Sequence, residues 1–328
     1  MSKKNLFICM ILVAMMAMGL TACGAKKEET TQVRVGYFNN VTHAQALLMK
    51  SEKTLEQKLG KEVKWTAFNA GPAEVEALFA GDIDIGYIGP VPAISANVKS
   101  NGDVKVLAGV SKGGSVLIQR KDAGIQSVAD LAGKTVAVPQ FGNTQHLILL
   151  KLLDDSNLKP VTAGGNVTVS AVANADVANT MERGDVDAAL VPEPWGATLI
   201  EQGAQMVLDQ NQVYLEGQYD VAVVVVRKEF LEGNKELVDQ FLEQHEAATK
   251  RIQEQPEEVQ KIINGELKAA TGKNLSDSIM KEAFGRISFR TDYNTEAMSD
   301  FASLSKEQGF IKELPEEGQL YANGEGEK

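Results

Sequence analysis

The apolar positions of the chain change period in the same order twice. Val33–Tyr37 and Thr135–Val138 are short β-branched runs bounded by polar residues or by Gly and Pro, which predicts strands. Each is followed by an Asn/Thr-rich turn and a helical stretch, Ala44–Leu59 and Gln145–Leu153. Asn and Thr in that place are N-caps, whose side-chain oxygens accept from the free N–H groups of a helix start. A second strand (Val63–Phe68, Asn166–Val172), a second helix (Pro72–Ala80, Ala175–Arg183) and a third strand (Asp82–Ile88, Asp185–Val191) complete each round. Such alternation predicts an α/β fold with mostly parallel sheets and crossover helices.

The two rounds share residues as well as pattern. Phe38-Asn39-Asn40-Val41-Thr42-His43 and Phe141-Gly142-Asn143-Thr144-Gln145-His146 stand 103 residues apart. At that offset Val33 and Val35 match Val136 and Val138, and Leu47 matches Leu150. Farther on, Gly81-Asp82-Ile83-Asp84 matches Gly184-Asp185-Val186-Asp187. One register kept over this distance marks a two-copy duplication, not a solenoid.

Two α/β units of equal size imply two lobes with a cleft between them. Val116–Arg120 and Val221–Val226 end alike, in Arg120-Lys121-Asp122 and Arg227-Lys228-Glu229, and read as strands that cross to lobe 2 and back. The expected division is 33–118 and 222–328 for a discontinuous lobe 1, and 119–221 for lobe 2. The helical regions Glu229–Phe284 and Glu296–Gly309 belong on lobe 1, with a frayed acidic tail from Glu313.

The first residues stand apart from this pattern. Lys3 and Lys4 precede Leu6–Leu20, an uncharged apolar run shorter than the roughly 20 residues of a membrane-spanning helix, so it reads as an export signal. Leu20-Thr21-Ala22-Cys23-Gly24 resembles a bacterial lipobox. That implies a signal peptide over 1–22, lipid attachment at Cys23, a tether over 23–32 and anchorage at the outer face of a cell membrane by lipid alone. Cys9 and Cys23 are then both spoken for, leaving no thiol for a disulfide, a nucleophile or zinc. Without Lys3 and Lys4, 31 basic residues face 44 acidic ones, a net charge of −13. This balance opposes nucleic acid or an anionic bilayer as a partner. No cofactor and no metal is expected, and the protein is expected to be a monomer.

In open α/β sheets ligands bind beyond the carboxyl ends of strands, where helix N-termini present free N–H groups. Four segments stand there: Phe38–His43, Gly89–Pro92, Phe141–Gln145 and Pro192–Trp195. Gly142 would let the backbone approach a ligand, while Asn143, Thr144 and Gln145 offer neutral donors suited to a small oxyanion. The same residues would also serve as caps alone. Asn40 and Thr42 are donors or caps, and His43 is a donor or a satisfied structural residue. His146 reads as structural and His245 as surface. Gly89 and Pro90 open close contact or simply turn the chain. Glu193 with Trp195 could hold an ammonium group, or Trp195 could wall an alkyl chain; the alternatives are a surface carboxylate and a core indole. No Arg lies in the four segments, which favours a monoanion over a phosphate. Lys112 reads as a solvated lysine near the rim.

GDIDIGYIGPVPAI (81–94), SVADLAGKTVAVPQFGNTQ (127–145) and GDVDAALVPEPWGATLI (184–200), with the lipobox, resemble the nitrate/sulfonate/taurine substrate-binding proteins of ABC importers. The resemblance covers essentially the whole chain after the signal. It implies the two-lobed class II periplasmic-binding-protein fold with ligand between the lobes, and permease subunits with their ATPase as partners. The positions that match are Asn40–His43, Gly89-Pro90, Gly142–Gln145, and Glu193 with Trp195. The cargo it implies is a small anion or zwitterion of the alkanesulfonate, taurine or nitrate class. A thiamine-precursor-like pyrimidine is the alternative cargo, although the Cys-rich motif of the pyrimidine-making enzymes is absent. A ligand sensor or an enzyme on the same fold are the alternative functions; the absence of a P-loop or a His/Cys cluster speaks against the enzyme.

Overall fold

The computed structural model describes residues 30–316 and 318–324, so the expected signal peptide and Cys23 lie outside the described residues. Gln32–Lys328 forms one compact unit built on two sheets. The first has the order β2-β1-β3-β10-β4-β11, from Gln32–Phe38 (β1), Glu62–Phe68 (β2), Ile85–Ile88 (β3), Val104–Gly113 (β4), Asp220–Arg227 (β10) and Ile287–Phe289 (β11). The second has the order β7-β6-β8-β5-β9, from Ser115–Gln119 (β5), Thr135–Val138 (β6), Thr168–Ala171 (β7), Ala188–Pro192 (β8) and Gln205–Leu208 (β9). In each sheet the round's first strand pairs in parallel with its second and third. The third strand is then flanked by an antiparallel neighbour, β10 in one sheet and β5 in the other. The duplicated sequence is therefore a duplicated topology.

The sequence register needs one adjustment. Ile85 and Ala188 are 103 residues apart, but their partners Val35 and Val136 are 101 apart. The second copy has two extra residues between its first strand and its helix cap. Two residues preserve the alternation of a strand, so the same faces stay buried and the sequence match survives the slip.

Asp84 and Asp187 show why the Gly-Asp-x-Asp motif recurs. Asp84 accepts from the N–H of Arg34 in β1 and pairs with Arg34 and Arg227, the residue that ends β10. Asp187 accepts from the N–H of Thr135 in β6 and pairs with Arg120, just beyond β5. In both lobes one carboxylate thus ties the start of the first strand to the Arg of the Arg-Lys-acid sequence.

The chain crosses between the sheets twice, at the leading ends of the segments expected to do so. It leaves β4 for β5 through Gly113 and Gly114, both with positive φ, and it returns before β10. The two crossings touch: the Gly113 N–H donates to the Tyr219 carbonyl at 3.0 Å.

β3, β8 and nearly all of β10 are buried on both faces, as central strands covered by helices must be. One apolar cluster runs unbroken from the first lobe, through Ile88 and Ile94, to Leu147, Ile148 and Leu190 in the second. Helices Lys235–Glu254 and Pro256–Thr271 pack against the first sheet's other face with Phe241 and Ile263. Two expectations are corrected. His245 is not on the surface: its Nδ1 faces the Tyr87 hydroxyl at 2.8 Å and its Nε2 the Gly109 carbonyl at 2.8 Å. Over its described residues the tail from Glu313 is not frayed, because Leu320 and Tyr321 anchor it. The Val106 N–H donates to Leu320 O, Ala322 N–H donates to Val106 O, and Tyr321 stacks on Tyr293.

Candidate functional site

Four helices begin around one cavity at the carboxyl ends of the strands. Asn40 caps the 3-10 turn that leads into Ala44–Glu52, and Ala70 caps Gly71–Ala80. Gly89 caps Pro90–Lys99, and Asn143 caps Thr144–Asp155. All four caps line the cavity, with Thr42, His43, Thr144 and Gln145 among its other walls. No Asp, Glu, Lys or Arg lines it. The first N–H groups of a helix have no partner within it and carry the positive end of its dipole. An anion in this cavity would be held by dipoles and neutral donors. The space is small: the centre of a water-sized sphere can occupy about 20 Å³, against about 10–15 Å³ for one water.

The polar side chains divide into those already engaged and those left open. Asn143 Oδ1 accepts from the His146 N–H at 2.8 Å, and its amide donates to Gln145 Oε1 at 3.2 Å. Gln145 in turn donates to Ser115 Oγ at 3.0 Å. These two residues brace the loop. Thr144 lies between them with a buried hydroxyl that has no partner. A Cβ on Gly89, from the opposite lobe, would come within 2.5 Å of that hydroxyl. Glycine at 89 is thus required by close approach across the cleft.

His43 Nδ1 accepts from the Phe38 N–H at 3.1 Å, which leaves the ring proton on Nε2. Burial lowers its pKa to about 3, so the ring is a neutral donor throughout the physiological range. His146 repeats the device, accepting from the Gly142 N–H at 3.1 Å, but it stacks on Phe310 and does not line the cavity. Its reading as structural fits this placement.

Several expected site residues are elsewhere. Gly142 and Pro90 do not line the cavity; the Gly142 N–H serves His146, and Pro90 only opens its helix. Glu193 is not a free carboxylate. It is fully buried, accepts from the Ala197 N–H at 3.0 Å and pairs with Arg286 at 2.6 Å. Burial pushes its pKa up, opposed by the Ala197 and Arg286 hydrogen bonds. Trp195 faces a neighbouring groove and donates from Nε1 to Asn40 Oδ1 at 2.8 Å. Lys112 is not free in solvent but pairs with Asp292 at 3.2 Å.

Asn69 and Asn174, which the motifs did not single out, both line the cavity. They follow β2 and β7, the second strand of each round, and the duplication of the loops after those strands is the signal that could have found them. Gly109-Val110-Ser111-Lys112-Gly113 has the spacing of a serine nucleophile elbow, but its setting differs. Ser111 is buried within β4 and donates to Thr42 O at 2.8 Å, with no strand-to-helix turn to expose it.

A family model described as NMT1-like matches residues 26–264. The taurine-binding periplasmic protein of Escherichia coli K12 is 31% identical over 218 residues. That match covers 66% of this chain and 65% of the relative, so the chain spans just under two thirds of that relative's length. The alkanesulfonate-binding protein SsuA of Xanthomonas axonopodis pv. citri, solved bound to MOPS, superposes with a TM-score of 0.73 at 22% identity, over 90% of this chain and 98% of that one. The periplasmic nitrate-binding protein NrtA of Synechocystis PCC 6803 superposes with a TM-score of 0.69 at 15% identity, over 86% and 83%. At such identities these structures show a shared fold, the two-lobed class II periplasmic-binding-protein architecture.

Proposed function

The chain belongs to the NMT1-like family, and from that premise we propose that it is the extracytoplasmic solute-binding protein of an ABC importer, capturing a small monoanion of the sulfonate class. The observation that carries this reading is the cavity ringed by four helix N-termini with no formally charged side chain in its wall. A monoanion matches dipoles and neutral donors, whereas a dianionic phosphate would call for a cation. The names of the taurine-binding and alkanesulfonate-binding relatives support the same class.

Capture works by closure. Lobes joined through Gly113–Gly114 and Tyr219–Asp220 swing together, and only the closed state brings Gly89 and Asn40 of one against Thr144 of the other around the ligand. On this reading the protein hands its cargo to a permease and performs no chemistry on it, and a lipid on Cys23 holds it at the outer membrane face.

The test is thermal melting and calorimetry of the purified protein with methanesulfonate, longer alkanesulfonates, taurine, nitrate, phosphate and a pyrimidine. A sulfonate at 100 times its dissociation constant stabilises by about 2.7 kcal/mol, a midpoint shift of a few degrees. A shift with the pyrimidine and none with any anion would overturn the oxyanion reading.

A further inference from the structure

The two crossings between the sheets are of unlike make. The outward one is Gly113-Gly114, where glycine takes a positive φ without strain. The return, from Tyr214 to Asp220, carries three left-handed residues in a row: Leu215 at φ 42°, Glu216 at 51° and Gly217 at 75°. Two of the three are not glycine.

The hydrogen bonds identify the turn. The Gly217 N–H donates to Tyr214 O at 2.9 Å and the Gln218 N–H to Leu215 O at 2.8 Å. These overlapping turns put Leu215 and Glu216 where a type I′ turn takes Asn and Gly. A left-handed L-residue brings its Cβ against the following carbonyl oxygen, and bulky residues rarely stay there. Packing does not offset that cost, because Leu215 is 44% exposed and Glu216 is exposed as well.

Such a conformation persists only where its surroundings impose it. On one side Tyr214 follows β9 and the helix Gln210–Val213, and a Cβ on Gly217 would meet Asn211 Oδ1 at 2.6 Å. On the other side stands the helix Thr295–Glu307, which packs on Pro90–Lys99 of the first lobe. Its cap Asn294 donates from the side-chain amide to Gln218 O at 2.6 Å and from its N–H to Asp220 Oδ2 at 2.7 Å. Tyr214 reaches across to it, stacking on Phe301 at 4.9 Å between ring centroids and donating to Asp300. The turn is thus held between elements of the two lobes, with the cleft closed so that Gly89 lies against Thr144. A hinge motion has to be absorbed by a few such loop residues.

We propose that this turn is a conformational spring. The closed lobes hold Leu215 and Glu216 left-handed. Opening draws Tyr214 away from Phe301 and Asp300, the two residues relax to negative φ, and the protein rests open until a ligand supplies the difference. The proposal goes beyond the sulfonate reading, since it needs a ligand between the lobes and not a particular chemistry.

Small-angle X-ray scattering of the purified protein without ligand reads the lobe angle, on the wild type and two variants. Leu215→Asn with Glu216→Gly supplies the residues the turn prefers and is expected to shift the profile from open toward closed. Glu216→Val puts a β-branched residue at positive φ on an exposed site and is expected to keep the protein open. Calorimetry with methanesulfonate gives the matching affinities. The double variant should bind about five- to thirtyfold tighter, the strain of one left-handed residue, and Glu216→Val more weakly than the wild type. A wild-type profile already closed without ligand would overturn the proposal. So would a higher melting midpoint in the double variant with scattering and affinity unchanged, since the strain would then be common to both states. If methanesulfonate does not bind, the scattering alone decides the turn, and the failure belongs to the sulfonate reading.

Discussion

Thr144 brings to the cavity wall a polar atom that the folded chain leaves unengaged. Its neighbours Asn143 and Gln145 spend their side chains on the His146 N–H, on each other and on Ser115, while the Thr144 hydroxyl is buried and unpartnered. An orphaned hydroxyl costs stability unless a ligand completes it. The two positions should therefore separate in measurement. Thr144→Val is expected to weaken ligand binding by about 1–3 kcal/mol and to leave the melting midpoint the same or slightly higher. Asn143→Ala loses a helix cap, at about 0.5–2 kcal/mol, and should lower the midpoint more than it weakens binding. Calorimetry and melting on both variants check this, and the opposite pattern would remove Thr144 from the site.

Among the elements, the repeated strand anchors are the clearest case of one sequence motif with one physical task. Asp84 has a side chain only 2% exposed and serves two arginines, whereas Asp187 is 18% exposed and serves one. Breaking a buried ion pair from one side leaves uncompensated charge, and the cost falls as solvent reaches the site. Asp84→Asn should cost an amount between the roughly 1 kcal/mol of an exposed pair and the 3–5 kcal/mol of a buried one, with Asp187→Asn costing less. Denaturant titration gives both values. A larger loss from Asp187→Asn would mean that the two anchors are not equivalent. A further local feature is Glu74, whose carboxyl has no partner and lies over Gly36 and Gly86, where a Cβ at either position would meet its oxygen. The paired glycines make the slot that the carboxyl fills, and burial pushes its pKa well up.

For the whole molecule, burial of titratable groups sets how stability varies with pH. All three histidines are held below their ordinary value by burial, His43 to about 3 and His146 and His245 to about 4. The unfolded chain then binds more protons than the folded one between those values and about 6.5, so their contribution is full above about pH 6.5 and is lost as pH falls. Each costs about 1.4 kcal/mol per pH unit in that window. Asp220 acts in the opposite sense. Burial lifts it to about 6, so its contribution is full below about pH 4 and is lost as pH rises through 6. Melting midpoints from pH 7 to 4.5 should therefore fall less steeply in His245→Gln than in the wild type, and more steeply in Asp220→Asn. Parallel profiles in all three proteins would contradict the shifts that burial imposes on these groups.

The sequence by itself determined the α/β rounds, their duplication, the strand-end loops and the neutral character of the caps. Each of these is set by residues close in the chain: alternation along a strand, a cap three residues from the N–H it receives, glycine at a turn. That is why Asn40, Thr42, His43, Gly89, Asn143, Thr144 and Gln145 could be named in advance and all meet at one cavity. The motifs that resemble the sulfonate-binding proteins pointed to the same loops. The tertiary structure alone decided which polar groups stayed free. Glu193 is claimed by Arg286, 93 residues away, Trp195 binds Asn40 across 155 residues, and His245 meets Tyr87 across 158. No local pattern marks such partners, because a buried polar side chain takes the nearest complementary group in space, and desolvation then fixes its charge.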